Sequence, residues 1–266
     1  MIEKFSVSYP AFTGEEERDL YIYLPVNYEE DSEARYPVLY MFDGQNVFYD
    51  DDATFGKSWG LGEYLDFCDT PLIVVALQCH TGANDEREIE YSPYDFTIPA
   101  RDRRDLPRRL RKPLDVHGLG RETMEWFVNE LKPMIDSELR TLPGRETTFV
   151  MGSSMGGLMS AYALLEFNDT FSRACSLSPA LDYWSEQLKD TVKNADVLPG
   201  TELYIDYGMN EPDYRAAVEK LAPITSAVLR KGISLTYRTI PGGTHTEASW
   251  ENQLSFCIDF LMYGLI

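Results

Sequence analysis

Two serines of this sequence lie in the pattern G-x-S-x-G, which can place a serine hydroxyl at the tip of a tight turn. The pattern occurs at Gly152–Gly156, around Ser154, and at Gly56–Gly60, around Ser58. A serine becomes a nucleophile toward esters when a base takes its proton and fixed dipoles stabilise the oxyanion that forms. The pattern alone arises by chance, so its surroundings have to decide between the two copies.

The surroundings favour Ser154. The apolar, β-branched run 147–151 precedes it as a predicted strand, and 157–165 follows it as a predicted helix with small residues near the turn. The other copy follows the acidic run 50–54, which indicates a loop. We therefore predict that Ser154 is the nucleophile and that Ser58 is a loop residue. The alternative for Ser154 is a tight turn without chemistry.

The base must be one of three histidines, His80, His117 and His245. In strand–elbow–helix hydrolases the chain order is serine, acid, histidine. His245 is the histidine that follows Ser154, and it comes after the last predicted strand in a glycine-containing turn. We expect His245 to be the base, His80 to be a polar loop residue and His117 to lie on the surface.

The acid that orients the base should follow the predicted strand 203–207. Three carboxylates qualify: Asp206 within the strand, and Glu211 and Asp213 in the loop beyond it. Glu211 fits best because it lies just past Gly208, although Asp206 and Asp213 stay open as alternatives.

Two backbone amides are expected to hold the oxyanion. One is the amide of Met155, directly after the nucleophile, and the other should come from the loop after the strand that ends near Phe42. In that loop Gly44 permits a sharp turn, so we assign the second donor to the backbone N–H of Gln45.

The elements around these residues predict an α/β fold. Short apolar strands alternate with helical patterns, which indicates a mostly parallel central sheet with helices on both faces. The N-terminal runs 5–9 and 20–24 alternate around a turn and predict an antiparallel hairpin. One helix should span 121–139 with a kink at Pro133, and another should begin near Glu247. The whole chain, 1–266, is predicted to be one domain. The predicted strands are 38–42, 72–77, 147–151, 174–177, 203–207 and 235–240.

Taken together, the segments 36–46, 152–157, 178–180, 208–211 and 243–250 resemble the Putative esterase family of α/β-hydrolases. That family includes enterochelin esterases, feruloyl and acetyl-xylan esterases, esterase D and mycolyl transferases. The resemblance extends from about Tyr36 to the C-terminus and implies a triad of Ser154, Glu211 and His245 with the Gln45 amide as oxyanion donor. Phe42 stands where many relatives have histidine, so the resemblance leaves the substrate open.

Composition restricts the partners. The net charge is −20, which argues against nucleic acid, whose binding depends on clustered Lys and Arg. The N-terminus has mixed charge without an apolar signal stretch, and no window is long enough to span a membrane. Four widely spaced cysteines suggest buried free thiols in a reducing compartment. We therefore expect a cytoplasmic protein.

The segment 101–112 is a basic insertion in this acidic chain, with seven Arg or Lys residues. It is interpreted first as a solvated surface loop, with an anion-recruiting lid or a contact in a homo-oligomer as the functional alternatives.

The chemistry that these residues predict is hydrolysis of a carboxylic ester through an acyl-enzyme, without a cofactor or metal ion. A small ester, in the first place an acylated sugar, is the expected substrate. The alternatives are a siderophore ester of the enterochelin type, acyl transfer to an alcohol instead of water and, as the least favoured, a binding protein on a hydrolase scaffold.

Overall fold

Buried apolar strands form the centre of the fold. The computed structural model describes residues 1–11, 14–81, 86–104 and 106–265. Within these ranges eight strands form one sheet in the order β1-β2-β4-β3-β7-β8-β9-β10, and β5 and β6 form a separate hairpin. The strands are β1 (Ile2–Ala11), β2 (Gly14–Tyr23), β3 (Val38–Met41), β4 (Ile73–Leu77), β5 (Phe96–Ile98), β6 (Leu114–Val116), β7 (Thr148–Ser153), β8 (Arg173–Leu177), β9 (Glu202–Gly208) and β10 (Ser234–Ile240).

The strand directions agree with the sequence. From β4 through β3, β7, β8 and β9 to β10, each neighbouring pair is parallel. The N-terminal strands β1 and β2 form an antiparallel hairpin, and β2 continues antiparallel to β4. The predicted α/β class, with its mostly parallel sheet and N-terminal hairpin, is confirmed.

Helices cover both faces of the sheet. They are α1 (Leu61–Phe67), α2 (Glu86–Glu90), α3 (Gly120–Trp126), α4 (Lys132–Glu138), α5 (Met155–Glu166), α6 (Ser185–Asn194), α7 (Tyr214–Lys231), α8 (Glu247–Glu251) and α9 (Leu254–Met262). Two buried clusters result, because alternate strand residues point to opposite faces. One contains apolar residues of α3 to α7, and the other contains those of α1, α8 and α9.

Two predicted helices are interrupted. The helix expected over 121–139 contains a π-helical turn at Phe127–Leu131. Pro133 lies just beyond this turn and has no N–H to continue the regular hydrogen-bond ladder, so the irregularity precedes the proline. The expected C-terminal helix divides into α8 and α9. Between them, the Asn252 side chain donates to the carbonyl of Ala248 at 2.7 Å, which competes with the backbone for that acceptor.

Within the described ranges, no helix combines the length and the apolar character needed to cross a membrane. The four cysteines are all unpaired. Cys79, Cys175 and Cys257 are buried as expected, whereas Cys68 is exposed. The expectation of a buried thiol is wrong for Cys68. This residue lies just beyond the end of α1, outside the apolar strands, one of which contains buried Cys175.

Candidate active site

The candidate catalytic residues come together at one edge of the sheet. The parallel strands β3, β7, β9 and β10 end at this edge, and the chain then leads to Gln45, Ser154, Glu211 and His245, respectively. Because parallel strands point their carboxyl ends the same way, residues far apart in the sequence meet here.

Ser154 occupies a strained turn between β7 and α5. Its backbone angles are φ 58° and ψ −120°, in the left-handed half of conformational space that side-chain-bearing residues rarely adopt. The turn is crowded, since a Cβ added at Gly152 would lie 2.8 Å from the Gly156 backbone. Glycines two residues before and two after the serine therefore let β7 and α5 approach closely, and Ser154 is left half-buried facing a cavity.

His245 lies against the carboxylate of Glu211. Its Nδ1 is 2.7 Å from Glu211 Oε2, and the ring is partly exposed while the Glu211 side chain is fully buried. With the proton on Nδ1, the imidazole donates to the carboxylate and leaves Nε2 free to accept a proton. The ring also packs edge-on against Trp250, with centroids 5.0 Å apart. Glu211 thus fixes the orientation of the imidazole.

Glu211 is held ionised by several donors. Its other oxygen, Oε1, accepts from Ser178 Oγ at 2.5 Å and from the Gly208 amide at 3.0 Å. The Ser178 hydroxyl in turn accepts from the Trp250 indole at 3.3 Å. Burial disfavours the charged carboxylate, but the hydrogen bonds from His245, Ser178 and Gly208 outweigh it and lower the pKa of Glu211.

The two other candidate acids lie elsewhere. Asp206 is buried in β9, where it accepts from Tyr204 Oη at 2.9 Å, and burial raises its pKa to about 7. Asp213 accepts from Tyr207 Oη at 2.9 Å. Of the three carboxylates, Glu211 is the one in contact with His245.

Two backbone amides are the candidate oxyanion donors, because no acceptor for either lies within the described part of the chain. Among the described residues, neither the Gln45 amide nor the Met155 amide has a protein acceptor, whereas the Ser154 amide donates to Leu177 at 3.0 Å. Gly44 is needed for close packing rather than for an unusual dihedral, because a Cβ there would lie 2.4 Å from the Ala76 carbonyl oxygen. The residue with the left-handed backbone conformation is Asp43, with φ 58°, and not Gly44.

A partly buried ion pair, which the sequence did not predict, supports this loop. Arg87, in α2, donates to both oxygens of Asp43, through Nε at 2.6 Å and through Nη2 at 2.7 Å. The Asp43 backbone N–H also donates to Tyr91 Oη at 3.2 Å. Bidentate guanidinium–carboxylate pairs are among the strongest and most directional hydrogen-bonded contacts. The one sequence signal was an acidic residue next to the glycine turn; its partner was not predictable.

The candidate residues open onto a cavity of about 810 Å³. Its described lining is polar and acidic, with five carboxylates and one arginine. Phe55 and Trp250 are the large apolar side chains of this described lining. The lining includes Asp43, Gln45, Asn46, Asp52, Thr54, Phe55, Gln78, His80, Glu86, Arg87, Glu88, Ser154, His245, Glu247 and Trp250.

The remaining sequence candidates occupy other environments. Ser58 is buried, and its hydroxyl donates to Asp50 at 2.8 Å. His80 lines the cavity and contacts Glu16 and Glu86, and exposed His117 pairs with Asp95.

The described part of the basic segment 101–112 connects β5 to β6 and contributes no described residue to the cavity lining. Asp105 lies outside the described residues. The hairpin packs through Phe96 on Trp184, with ring centroids 4.9 Å apart. Phe96 and Tyr91 are buried in the core rather than lining the cavity.

Comparisons with known proteins agree with this fold. The structure resembles an IroE-like serine hydrolase from Shewanella oneidensis, with a TM-score of 0.72 and 21% identity over 97% of this chain and 79% of that one. It also resembles a ferulic acid esterase, with a TM-score of 0.68 and 17% identity over 98% of both chains. Among curated proteins, the uncharacterized protein YbbA of Bacillus subtilis (strain 168) is 22% identical over 200 residues, which are 75% of this chain and 71% of YbbA.

The architecture is that of an α/β-hydrolase. The model of the family described as "Putative esterase" matches residues 13–257, so the chain belongs to that family. The predicted family and fold are therefore confirmed, and the prediction of an esterase is supported at the level of the family.

Proposed function

We propose that the protein is a serine ester hydrolase in which Ser154 is the nucleophile, His245 the general base and Glu211 the residue that orients it. The observation that carries this proposal is the 2.7 Å contact between His245 Nδ1 and the buried Glu211 carboxylate, at the sheet edge that presents Ser154. A buried ionised carboxylate stabilises the imidazolium that forms when histidine accepts a proton.

The reaction would run in two halves. His245 takes the proton of Ser154 as the serine oxygen attacks the ester carbonyl, and the amides of Gln45 and Met155 stabilise the oxyanion. The tetrahedral intermediate collapses as His245 gives its proton to the leaving alcohol, which leaves an acyl-enzyme on Ser154. A water molecule, deprotonated by His245, then releases the carboxylic acid and restores the serine.

The cavity favours a neutral ester. Its described lining has five carboxylates and a single arginine, Arg87, which is already paired with Asp43. An anionic ester would meet a negative potential here, on a protein whose net charge is −20. An acylated sugar or another small neutral ester therefore fits better than an anionic siderophore ester.

A location in the cytoplasm remains part of the proposal. Its support is the set of unpaired cysteines, three of them buried.

The experiment is hydrolysis of p-nitrophenyl acetate by the parent protein and by Glu211→Gln, with Asp213→Asn as the matched control. Glu211→Gln should lower kcat by about 10²- to 10⁴-fold, since an amide in place of the carboxylate favours the wrong imidazole tautomer. Asp213→Asn should change kcat less than about threefold. Equal losses in the two variants would contradict the assignment of Glu211.

A further inference from the structure

The buried carboxylate of Glu247, at the cavity wall, accepts few hydrogen bonds from the described residues of the protein. Glu247 begins α8, two residues after His245, and only 6% of the residue is exposed. Apart from its own backbone amide, the donor that reaches its carboxylate among the described residues is Asn46 Nδ2, at a long 3.4 Å. Burial, with a further contribution from Asp43, raises the pKa of Glu247.

A carboxylate of this kind needs hydrogen-bond donors. It can accept about four hydrogen bonds when ionised, and a buried polar group with unused capacity is costly. Because Glu247 lines the same cavity as Ser154, a ligand placed for attack by the serine can supply the missing donors from hydroxyl groups.

The rest of the wall has features that suit a hydroxyl-bearing ring or chain. Asn46, Thr54 and Gln78 add amide and hydroxyl groups to the lining. Phe55 also lines the cavity and is 80% exposed, so it presents an apolar face on which the carbon skeleton of a polyol or sugar can pack. Exposed aromatic surface beside polar acceptors is typical of a binding site rather than of a core.

We propose that Glu247, together with Asn46 and Phe55, forms a subsite that binds hydroxyl groups of the ester substrate and so selects neutral polyol or sugar esters. This proposal rests on the proposed function, because it places the subsite beside the nucleophile Ser154. It identifies Glu247 as a specificity-determining residue, two positions beyond the base, that has no part in the proton transfers.

The test uses two neutral esters of similar size, 1-acetylglycerol and propyl acetate, which differ in the two hydroxyl groups. The ratio of their kcat/KM values is measured for the parent, Glu247→Gln and Glu247→Met. Glu251→Gln is the matched control, because Glu251 lies on the same helix, pairs with Lys57 and is absent from the described cavity lining.

The ratio should favour acetylglycerol in the parent and fall by about 10- to 100-fold in Glu247→Met, as expected when a charged acceptor of a substrate hydroxyl is lost. Glu247→Gln should give an intermediate ratio because the amide oxygen still accepts a hydrogen bond. Glu251→Gln should keep the parent ratio. Circular dichroism and the rate of fluorophosphonate labelling verify that each variant is folded.

Two results would overturn the proposal. One is a parent ratio that Glu247→Met leaves unchanged. The other is a stronger, Glu247-dependent preference for 2-aminoethyl acetate, which would make the subsite a site for ammonium groups. Failure of the proposed function looks different: Ser154→Ala would then retain hydrolysis of both esters, whereas failure of the subsite alone leaves hydrolysis dependent on Ser154 and independent of Glu247.

Discussion

The ion pair between Arg87 and Asp43 gives a prediction that links stability to catalysis. Asp43 directly precedes Gly44 and Gln45 and has a left-handed backbone conformation. Its carboxylate is 8% exposed, and Arg87 is 30% exposed. In Arg87→Met a side chain of similar length remains, but both hydrogen bonds to Asp43 are lost and a buried charge is left without its counterion.

The expected loss follows from that geometry. Removing one partner of a buried ion pair typically destabilises a protein by about 3–5 kcal/mol. Arg87 is partly exposed, so water can compensate some of the loss, and we expect about 2–3 kcal/mol. For a domain of this size, each kcal/mol lowers Tm by about 2–4 °C, which gives a decrease of about 4–12 °C.

Catalysis should fall as well, through the position of the Gln45 amide. Loss of one well-placed oxyanion donor costs about 10²- to 10³-fold in kcat, and a displaced donor should cost part of that, about 10- to 100-fold. Because an oxyanion donor acts mainly in the transition state, KM should change little.

A double-mutant cycle with Asp43→Asn separates the pair from general damage. Thermal unfolding and p-nitrophenyl acetate kinetics are measured for both single variants and the double variant, which should recover most of the Tm because no buried charge is left unpaired. Arg121→Met is the control, since Arg121 forms an exposed pair with Glu125 and should cost less than about 1 kcal/mol. The reasoning is refuted if Arg87→Met is no less stable than Arg121→Met. It is also refuted if the stability losses of Arg87→Met and Asp43→Asn are simply additive in the double variant.

Three further predictions concern neighbouring groups. Ser178→Ala removes a hydrogen-bond donor from buried Glu211, so the lowered pKa of Glu211 should rise. Ionised Glu211 stabilises the fold above its unfolded pKa, and this contribution is lost as pH falls through its folded pKa. In Ser178→Ala the free energy of unfolding at pH 7, measured by denaturant titration, should therefore fall by about 1.5–3 kcal/mol. Asp206, with its pKa raised to about 7, costs stability as pH rises from about 4 to 7, so Asp206→Asn should increase Tm more at pH 8 than at pH 5; equal shifts would count against this. The described residues of 101–112 do not line the cavity, so changing Arg103 and Arg104 to Ser should leave the salt dependence of kcat/KM for succinyl relative to butyryl esters as it is in the parent. If the variant instead loses a salt-sensitive preference for the succinyl ester, this prediction is contradicted.

The sequence predicted those parts of the molecule that local pattern controls. Continuous apolar runs marked the buried parallel strands, and glycine spacing around Ser154 marked a turn too crowded for side chains. The chain order of serine, acid and histidine then limited the predicted base to His245. What remained open at the acid was which of three carboxylates the loop after β9 would turn toward the imidazole.

Contacts between distant segments were not predictable. The Arg87–Asp43 pair joins residues 44 positions apart, and Ser178 meets Glu211 across 33 positions; neither spacing has a local signal. The π-helical turn before Pro133 and the break at Asn252 each depend on which backbone hydrogen bonds form at that point. At Pro133 an N–H is missing, and at Asn252 a side chain competes for a carbonyl. Aromatic residues such as Tyr91 could equally line a cavity or fill the core, and the structure buries this one.

The most direct test of the account is the site of covalent labelling by a fluorophosphonate. The labelled protein is digested, and the modified peptide is identified by mass spectrometry in the parent, Ser154→Ala and Ser58→Ala. The account predicts one adduct on Ser154, its loss in Ser154→Ala together with a fall in esterase activity of at least about 10³-fold, and full labelling of Ser58→Ala. An adduct on Ser58 or Ser153 in the parent, or labelling and activity retained in Ser154→Ala, would contradict it.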